Sequence, residues 1–324
     1  MTKIDIYSGF LGAGKTTLIK KMIQEAYAGQ KLVLIENEFG EIGIDGGFLQ
    51  DAGINITEMN SGCICCSLVG DFGKALEKVI AEYAPERIVI EPSGVGKLSD
   101  VVAAVQKVTN ADVQLGFTVA VVDGGKVKVY MKNFGEFYNN QVETAGTIIL
   151  SRTDSIPQAK LDAAVELLRA HNAEATIVVA PWSELTGAQL LEAMEGKATL
   201  AAAMEELEQE HHHHHDHEEG CCGHHGHEHH HHHADEVFTS WGVETTRKFT
   251  VAELEAALHS LDSGRFGMIL RAKGIVACAD GGWIHFDYVP EEHNVRMGSA
   301  CIIGKLCVIG AQLDQQGVAK LFGV

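Results

Sequence analysis

The sequence predicts an α/β protein built on a doubly wound, mostly parallel sheet, followed by a histidine-rich connector without order of its own and a small α+β C-terminal domain. Three observations carry this reading. Apolar runs of strand length alternate with amphipathic stretches from Lys3 to about Pro181, the glycine-rich loop GFLGAGKT sits between the first run and the first helix, and the composition changes abruptly at residues 211–233. A chain of 324 residues divides naturally into two domains and a connector. We place these at residues 1–185, 186–237 and 238–324.

Six apolar runs read as buried parallel strands: IDIYS (4–8), KLVLIEN (31–37), RIVIEPS (87–93), FTVAVVD (117–123), TIILS (147–151) and ATIVVAP (175–181). Helical patterns separate them, among them GKALEKVIAEYA (73–84) and QAKLDAAVELLRAHN (158–172), which sets Leu161, Val165 and Leu168 on one stripe. Strand–helix alternation implies right-handed crossovers, and ligands of such sheets lie beyond the carboxyl ends of the strands. Thr186 with Gln189 is a capping-box pattern opening a helical, acidic connector that ends in MEELEQE. After the histidine tract, Thr250 with Glu253 opens a helix through Leu254, Leu258 and Leu261. Three strand-like runs (267–278, 282–289 and 300–310) and a short helix, QQGVAKLF, complete the C-terminal domain.

The formal charge of −19 repels phosphate backbones and anionic headgroups, so nucleic acid and membrane surfaces are not expected partners. No window approaches the unbroken apolar length of a membrane span, and Asp5 interrupts the apolar stretch that a secretory leader needs. The expected compartment is the cytoplasm. There, eight cysteines stay reduced and serve ligation, catalysis or burial.

Gly9 to Thr16 fits G-x-x-x-x-G-K-[ST] in a strand–loop–helix context, the signature of a phosphate-binding loop, or P-loop. Gly9, Gly12 and Gly14 let the backbone turn so that its N–H groups face phosphate oxygens. Lys15 neutralises the β and γ phosphates, Thr16 offers a hydroxyl to Mg²⁺, and Ala13 and Thr17 complete the loop's nucleotide contacts. Glu91, at the end of its apolar run, is the acid expected to hold Mg²⁺, and Gly94 can offer its N–H to a γ-phosphate. Ser151, Arg152, Thr153 and Asp154 end another strand. A carboxylate at Asp154 would accept from guanine N1–H and N2–H, donors that adenine lacks there. The pattern departs from N-K-x-D: arginine can stack on a base, whereas serine lacks the paired donor and acceptor of an amide. An aspartate capping the helix after Pro157 is the alternative.

Between the P-loop and Glu91 lies SGCICCS, with Cys63, Cys65 and Cys66. Cys63 and Cys66 have redox spacing, yet Cys65 lies between them, and a structural zinc site would need four closed ligands. Three thiolates with an exchangeable fourth position suit soft or borderline cations, Zn²⁺ first. Nearby, ENEFGEIGID offers Glu36, Glu38, Glu41 and Asp45 as oxygen ligands or as groups that order nucleotide and water; Glu38 and Asp45 join Lys15 and Glu91 as candidate catalytic residues.

Together GFLGAGKTT, ENEFGEIGID, SGCICCS, EPSG and the separate C-terminal domain resemble the CobW-like family of metallochaperone GTPases, relatives of the urease and hydrogenase maturation GTPases. The resemblance implies a Mg²⁺-dependent GTPase that binds a transition metal at the C-x-C-C thiolates and uses its GTP/GDP cycle to deliver the metal to a client metalloprotein. A homodimer is compatible with it. By matching positions, Cys63, Cys65 and Cys66 would be the metal site and Glu91 to Gly94 the E-x-x-G box.

The tract at 211–233 holds 14 of the 18 histidines: His211, His212, His213, His214, His215, His217, His224, His225, His227, His229, His230, His231, His232 and His233. With Cys221 and Cys222 it would bind Zn²⁺, Co²⁺ or Ni²⁺ and act as a local reservoir for the cysteine site. An inert solvated linker is the plain alternative. His171, His259, His285 and His293, with Cys278, Cys301 and Cys307, lie on or beside apolar patterns, where packing is the expected job, and are assigned no function. Three functions therefore stand at this point: a GTP-driven zinc chaperone, or a cobalt or nickel chaperone of the same family; a metal buffer with a vestigial nucleotide site; and a small-molecule P-loop kinase.

Overall fold

The structure is a computed structural model and describes residues 1–36, 56–60, 70–196, 204 and 239–324. It divides into two compact units, Met1–Lys197 and Ala198–Val324.

The first unit is a seven-stranded sheet in the order β3-β2-β4-β1-β5-β6-β7, parallel throughout. Its strands are β1 (Thr2–Gly9), β2 (Leu32–Glu36), β3 (Ile56–Asn60), β4 (Arg87–Glu91), β5 (Val113–Asp123), β6 (Thr147–Ser151) and β7 (Thr176–Val178). The helices are α1 (Lys15–Glu25), α2 (Gly70–Tyr83), α3 (Leu98–Gln106), α4 (Val127–Asn133), α5 (Gly135–Thr144), α6 (Gln158–His171) and α7 (Gly187–Met194). β1 lies near the centre, and the chain order reverses around it. A ligand crevice therefore opens at its carboxyl end, where the P-loop begins. The six sequence-predicted strands are all present. The seventh, β3, reads ITEMN, an edge strand too short and polar to stand out by hydrophobicity.

Beneath the crevice β1 carries a buried polar knot. The Asp5 carboxylate pairs with Arg87 of β4, whose Nε donates to Gln30 Oε1 at 2.9 Å and whose guanidinium lies 4.6 Å from the centroid of the Tyr27 ring. The Tyr27 hydroxyl bonds that of Tyr7, and Tyr7 meets Phe117 edge-on at 5.6 Å. A Cβ at Gly116 would collide with the Asp5 carboxylate, so glycine is needed there.

One boundary differs from expectation. α7 starts with the anticipated capping box, in which Thr186 and Gln189 satisfy each other's backbone N–H groups. It belongs to the first unit, however, not to the connector. Leu190, Ala193 and Met194 are buried, α7 packs on α1, and Gly187 N–H donates to Glu25 Oε2 at 2.8 Å. The apolar stripe of α7 drives this, and the compact unit runs to Lys197 rather than 185.

In the second unit the sheet β12-β11-β10-β13-β8 is antiparallel, with β9 added in parallel to β10. These strands are β8 (Thr239–Thr245), β9 (Lys248–Phe249), β10 (Met268–Cys278), β11 (Trp283–Val289), β12 (Glu292–Gly298) and β13 (Gly304–Ala311). Helices α8 (Val251–Leu261) and α9 (Gln315–Phe322) share a core with the sheet through Leu254, Leu258, Phe286, Val308 and Phe322. Thr250 and Glu253 form the expected capping box. β8 and β12 were not foreseen, being partly or largely exposed with no apolar run to mark them. Cys278 and Cys307 are buried, His285 bonds the Ser299 carbonyl and His171 pairs with Glu143, in keeping with packing roles. Among the described residues no helix is long and apolar enough to cross a membrane.

Candidate functional site

The site begins where β1 ends. Gly9, Gly12 and Gly14 hold φ of 144°, 69° and 104°, a backbone path that side chains rarely follow. A Cβ on Gly9 would also collide with the Val121 carbonyl. Gly14 caps α1, whose first residues are Lys15, Thr16 and Thr17. Lys15 Nζ lies 3.8 Å from Glu91 Oε1, and the Thr16 hydroxyl lies 3.1 Å from each Glu91 oxygen. Lysine, hydroxyl and carboxylate are thus gathered at one buried point. The hydroxyl and carboxylate are hard oxygen donors beside a phosphate loop, a set that fits Mg²⁺.

The E-x-x-G segment lies against the P-loop. A Cβ on Gly94 would stand 2.8 Å from the Leu11 backbone nitrogen, so only glycine allows this approach. Gln141 of α5, almost wholly buried, donates from Nε2 to the Gly94 and Gly96 carbonyls at 3.1 and 2.8 Å. Above α5, Phe10 of the P-loop packs on Tyr130, Phe134 and Tyr138, with centroids 4.8, 4.9 and 6.0 Å away. Burial raises the Tyr138 phenol well above its ordinary pKa, keeping it neutral. No local pattern marks Gln141 or this aromatic stack in the sequence.

A cavity of about 290 Å³ opens beside the loop, lined by Ala13, Gly14, Thr17, Ser151, Arg152, Asp154 and Trp182 among others. Arg152 holds φ of 58°. Its Nη2 donates to the Gly12 carbonyl at 2.9 Å and its Nη1 pairs with Asp123, so it braces the P-loop against the end of β5. The arginine is therefore already engaged by backbone and carboxylate, a firmer role than the stacking its chemistry suggested. Ser151 is buried, its hydroxyl 3.4 Å from the Val122 carbonyl. Asp154 is exposed within a 3₁₀ turn over Thr153–Ser155. It does not cap α6, whose N-cap is Pro157. Among the described residues the buried Thr153 hydroxyl at the cavity has no hydrogen-bond partner, so it can bond a polar ligand or water there.

Two residues of the site went unread in the sequence, Asp123, which holds Arg152, and Trp182, which lines the cavity. Asp123 ends FTVAVVD just as Glu91 ends RIVIE, and an acid closing an apolar strand was a usable signal. Trp182 follows ATIVVAP directly; its indole donates to the Leu150 carbonyl at 2.9 Å and its ring backs Gly14.

Glu36 ends β2 and is buried. It stands in register with Glu91 on one side and Asn60 on the other. Since neighbouring strands lie about 4.8 Å apart, the Asn60 backbone is roughly 10 Å from that of Glu91. Cys63 follows Asn60 by three positions. Cys63, Cys65 and Cys66, like Glu38, Glu41, Asp45 and the histidine tract with Cys221 and Cys222, lie outside the described residues.

A parallel sheet reversing at β1, a glycine-rich phosphate loop with its lysine and hydroxyl, and a strand-end acid within reach define a P-loop nucleotide-binding protein. The chain belongs to the CobW/HypB/UreG family: the model for that family's nucleotide-binding domain matches residues 3–179, and that for the cobalamin synthesis protein CobW C-terminal domain matches residues 238–323. Among curated relatives, the zinc chaperone CobW of a Sinorhizobium species is 30% identical over 57% of this chain and 61% of its own length. The zinc chaperone YeiR of Escherichia coli is 31% identical over 48% of this chain and 47% of its own. Zinc-regulated GTPase metalloprotein activator 1 of Schizosaccharomyces pombe is 26% identical over 56% and 46%. The chain thus spans about half to three-fifths of these relatives. Among solved structures, the Zn(II)-bound YjiA GTPase of E. coli aligns over 99% of this chain and 98% of that one, at 22% identity and a TM-score of 0.44.

Proposed function

We propose that this protein is a cytoplasmic GTP-hydrolysing metallochaperone that holds Zn²⁺ at Cys63, Cys65 and Cys66 and passes it to a client metalloprotein under control of its nucleotide. The observation that carries the reading is the convergence of Lys15, Thr16 and Glu91, with β3 ending at Asn60 in register with Glu36, which is itself in register with Glu91. The names of the curated relatives favour zinc over cobalt or nickel and a chaperone over a passive buffer or a kinase. Self-association into a dimer belongs to the same proposal.

In this reading the Gly9–Thr16 backbone encloses the phosphates and Lys15 turns from Glu91 to their oxygens. Thr16 and Glu91 would hold Mg²⁺, which would supply charge neutralisation for the phosphates. Gly94, fixed by Gln141, presents its N–H where a γ-phosphate ends, while Arg152 keeps the loop braced. Glu38 and Asp45 are the proposed groups that order the attacking water. Loss of the γ-phosphate then releases the segments between β2 and α2, which contain the thiols.

The test is a competitive zinc titration with GTP, GDP or no nucleotide, comparing the intact protein with Cys65→Ser so that the histidine tract cancels. A nucleotide-dependent difference of about 5- to 150-fold is expected. Identical zinc affinity under all three conditions would sink the proposal.

The base pocket gives a second expectation. Asp154→Asn should weaken GTP binding by about 10- to 150-fold, the loss of charge-assisted hydrogen bonds to N1–H and N2–H. XTP, which presents a C2 carbonyl to the new amide, should gain. Equal GTP affinity in both proteins, measured by calorimetry, would remove Asp154 from base recognition.

A further inference from the structure

At the corner formed by α4 and the start of α5, the sequence KVKVYMKNF places Lys126, Lys128 and Lys132 within seven positions of a chain with formal charge −19. All three are exposed, and among the described residues none has a carboxylate partner. Lys128 and Lys132 lie one turn apart, a repulsive spacing; Lys128 stands in the first turn of α4, which has no acid to offset a cation at that end, and Lys132 stands in the last turn. Lys74 and Lys78 on α2 have the same spacing, with Glu77 and Glu82 three and four residues on in the same helix, whereas Glu136, four residues beyond Lys132, lies on α5 and pairs with Lys97 at 2.9 Å. Lys126 lies 5.6 Å from the centroid of the Tyr130 ring, but local stability does not explain Lys128.

Among them stand two large apolar side chains in water, Val129 at 54% and Phe134 at 44% exposure. Phe134 also packs against Phe10 at 4.9 Å and Tyr130 at 5.8 Å. One more apolar residue, Leu11 of the P-loop, is 57% exposed beside Phe10. An apolar centre with a cationic rim is the anatomy of a protein-binding surface, the rim selecting the sign of the partner and the centre anchoring it.

We propose that this corner docks a partner protein through an acidic segment carrying a large apolar side chain, and that docking is transmitted to the phosphate loop through Phe10. The second half rests on the nucleotide-binding reading above; the first does not. Phe10 belongs to the loop yet makes its aromatic contacts with α4 and α5, and Gln141 ties α5 to the Gly94 turn. A partner pressing on Phe134 therefore bears on both segments that face a γ-phosphate.

The test uses the full-length protein and a short dye-labelled peptide of glutamates with two phenylalanines one helical turn apart, followed by fluorescence anisotropy. Lys128→Glu with Lys132→Glu should weaken binding at least about tenfold, Val129→Ser about threefold, and Lys74→Glu with Lys78→Glu less than about twofold. Absence of binding, or equal losses for the two lysine pairs, overturns the docking surface. Wild-type self-association that the α4 reversal abolishes assigns the corner to a second copy and also overturns it. In parallel, the peptide should change the release rate of a fluorescent GTP analogue from the wild type but not from the α4 reversal. Peptide binding with an unchanged release rate refutes the transmission through Phe10. Failure of the analogue to bind when no peptide is present refutes the nucleotide reading instead.

Discussion

Lys15→Ala is expected to reduce GTP turnover by about 10²- to 10³-fold, the loss typical of removing one preorganised charge from a phosphoryl-transfer site. The lysine is buried to 8% exposure at the start of α1, its ammonium beside Glu91 rather than in water. In that setting it is a fixed counter-charge for phosphate oxygens, and alanine removes that charge from the site. Phosphate release with saturating GTP and Mg²⁺ checks this. Turnover matching the wild type would mean that the nucleotide site does no work and would favour a metal buffer. The fold should survive the substitution, since the sheet and the apolar face of α1, with Leu18, Ile19, Met22 and Ile23, are untouched.

Asp5→Ala is expected to be the most destabilising single change at the base of the sheet, costing about 3–5 kcal/mol by leaving Arg87 buried without its partner. In a unit of this size that lowers Tm by roughly 10 °C or more. Arg87 is 5% and Asp5 0% exposed, so water cannot replace the lost carboxylate. The pH dependence has a definite sign. Burial pushes the Asp5 carboxyl up to about 6, against the pull of Arg87, from an ordinary value of 3.8. The folded protein therefore holds this proton more tightly than the unfolded chain. The resulting stabilisation is fully present below about pH 4 and is lost as pH rises through 6. Denaturant unfolding of wild type and variant at pH 5 and pH 7.5 measures it: the gap should be wider at pH 5. A loss below about 1 kcal/mol at both pH values would show that the knot tolerates an unpaired arginine.

Much of this could be read from the residues because the relevant signals are local. A glycine-rich loop between strand and helix, an acid closing an apolar run and a threonine followed three positions later by glutamine or glutamate each report on a few neighbouring residues. What was missed depends on distant parts of the chain. β3, β8 and β12 are strands by virtue of their partners, not their composition. Arg152 reaches Gly12, 140 positions away, and Gln141 reaches Gly94, 47 positions away. Asp5 seemed only a break in an apolar run until Arg87 closed on it. The sequence places α7 with the connector because the segment that its capping box opens ends in the acidic MEELEQE. Its apolar stripe was a signal, but only the surface of α1 shows what it covers.

That last contact bears on how the protein is made. A nucleotide unit ending at 185 could close as soon as β7 and its loop emerged from the ribosome. With α7 packed on α1, the helix that bears Lys15 must await residues up to about Lys197 before its surface is covered. At typical translation rates of 5–20 residues per second, this delays closure by about a second. The histidine tract, which begins at His211, leaves the ribosome only after the last residue this packing needs.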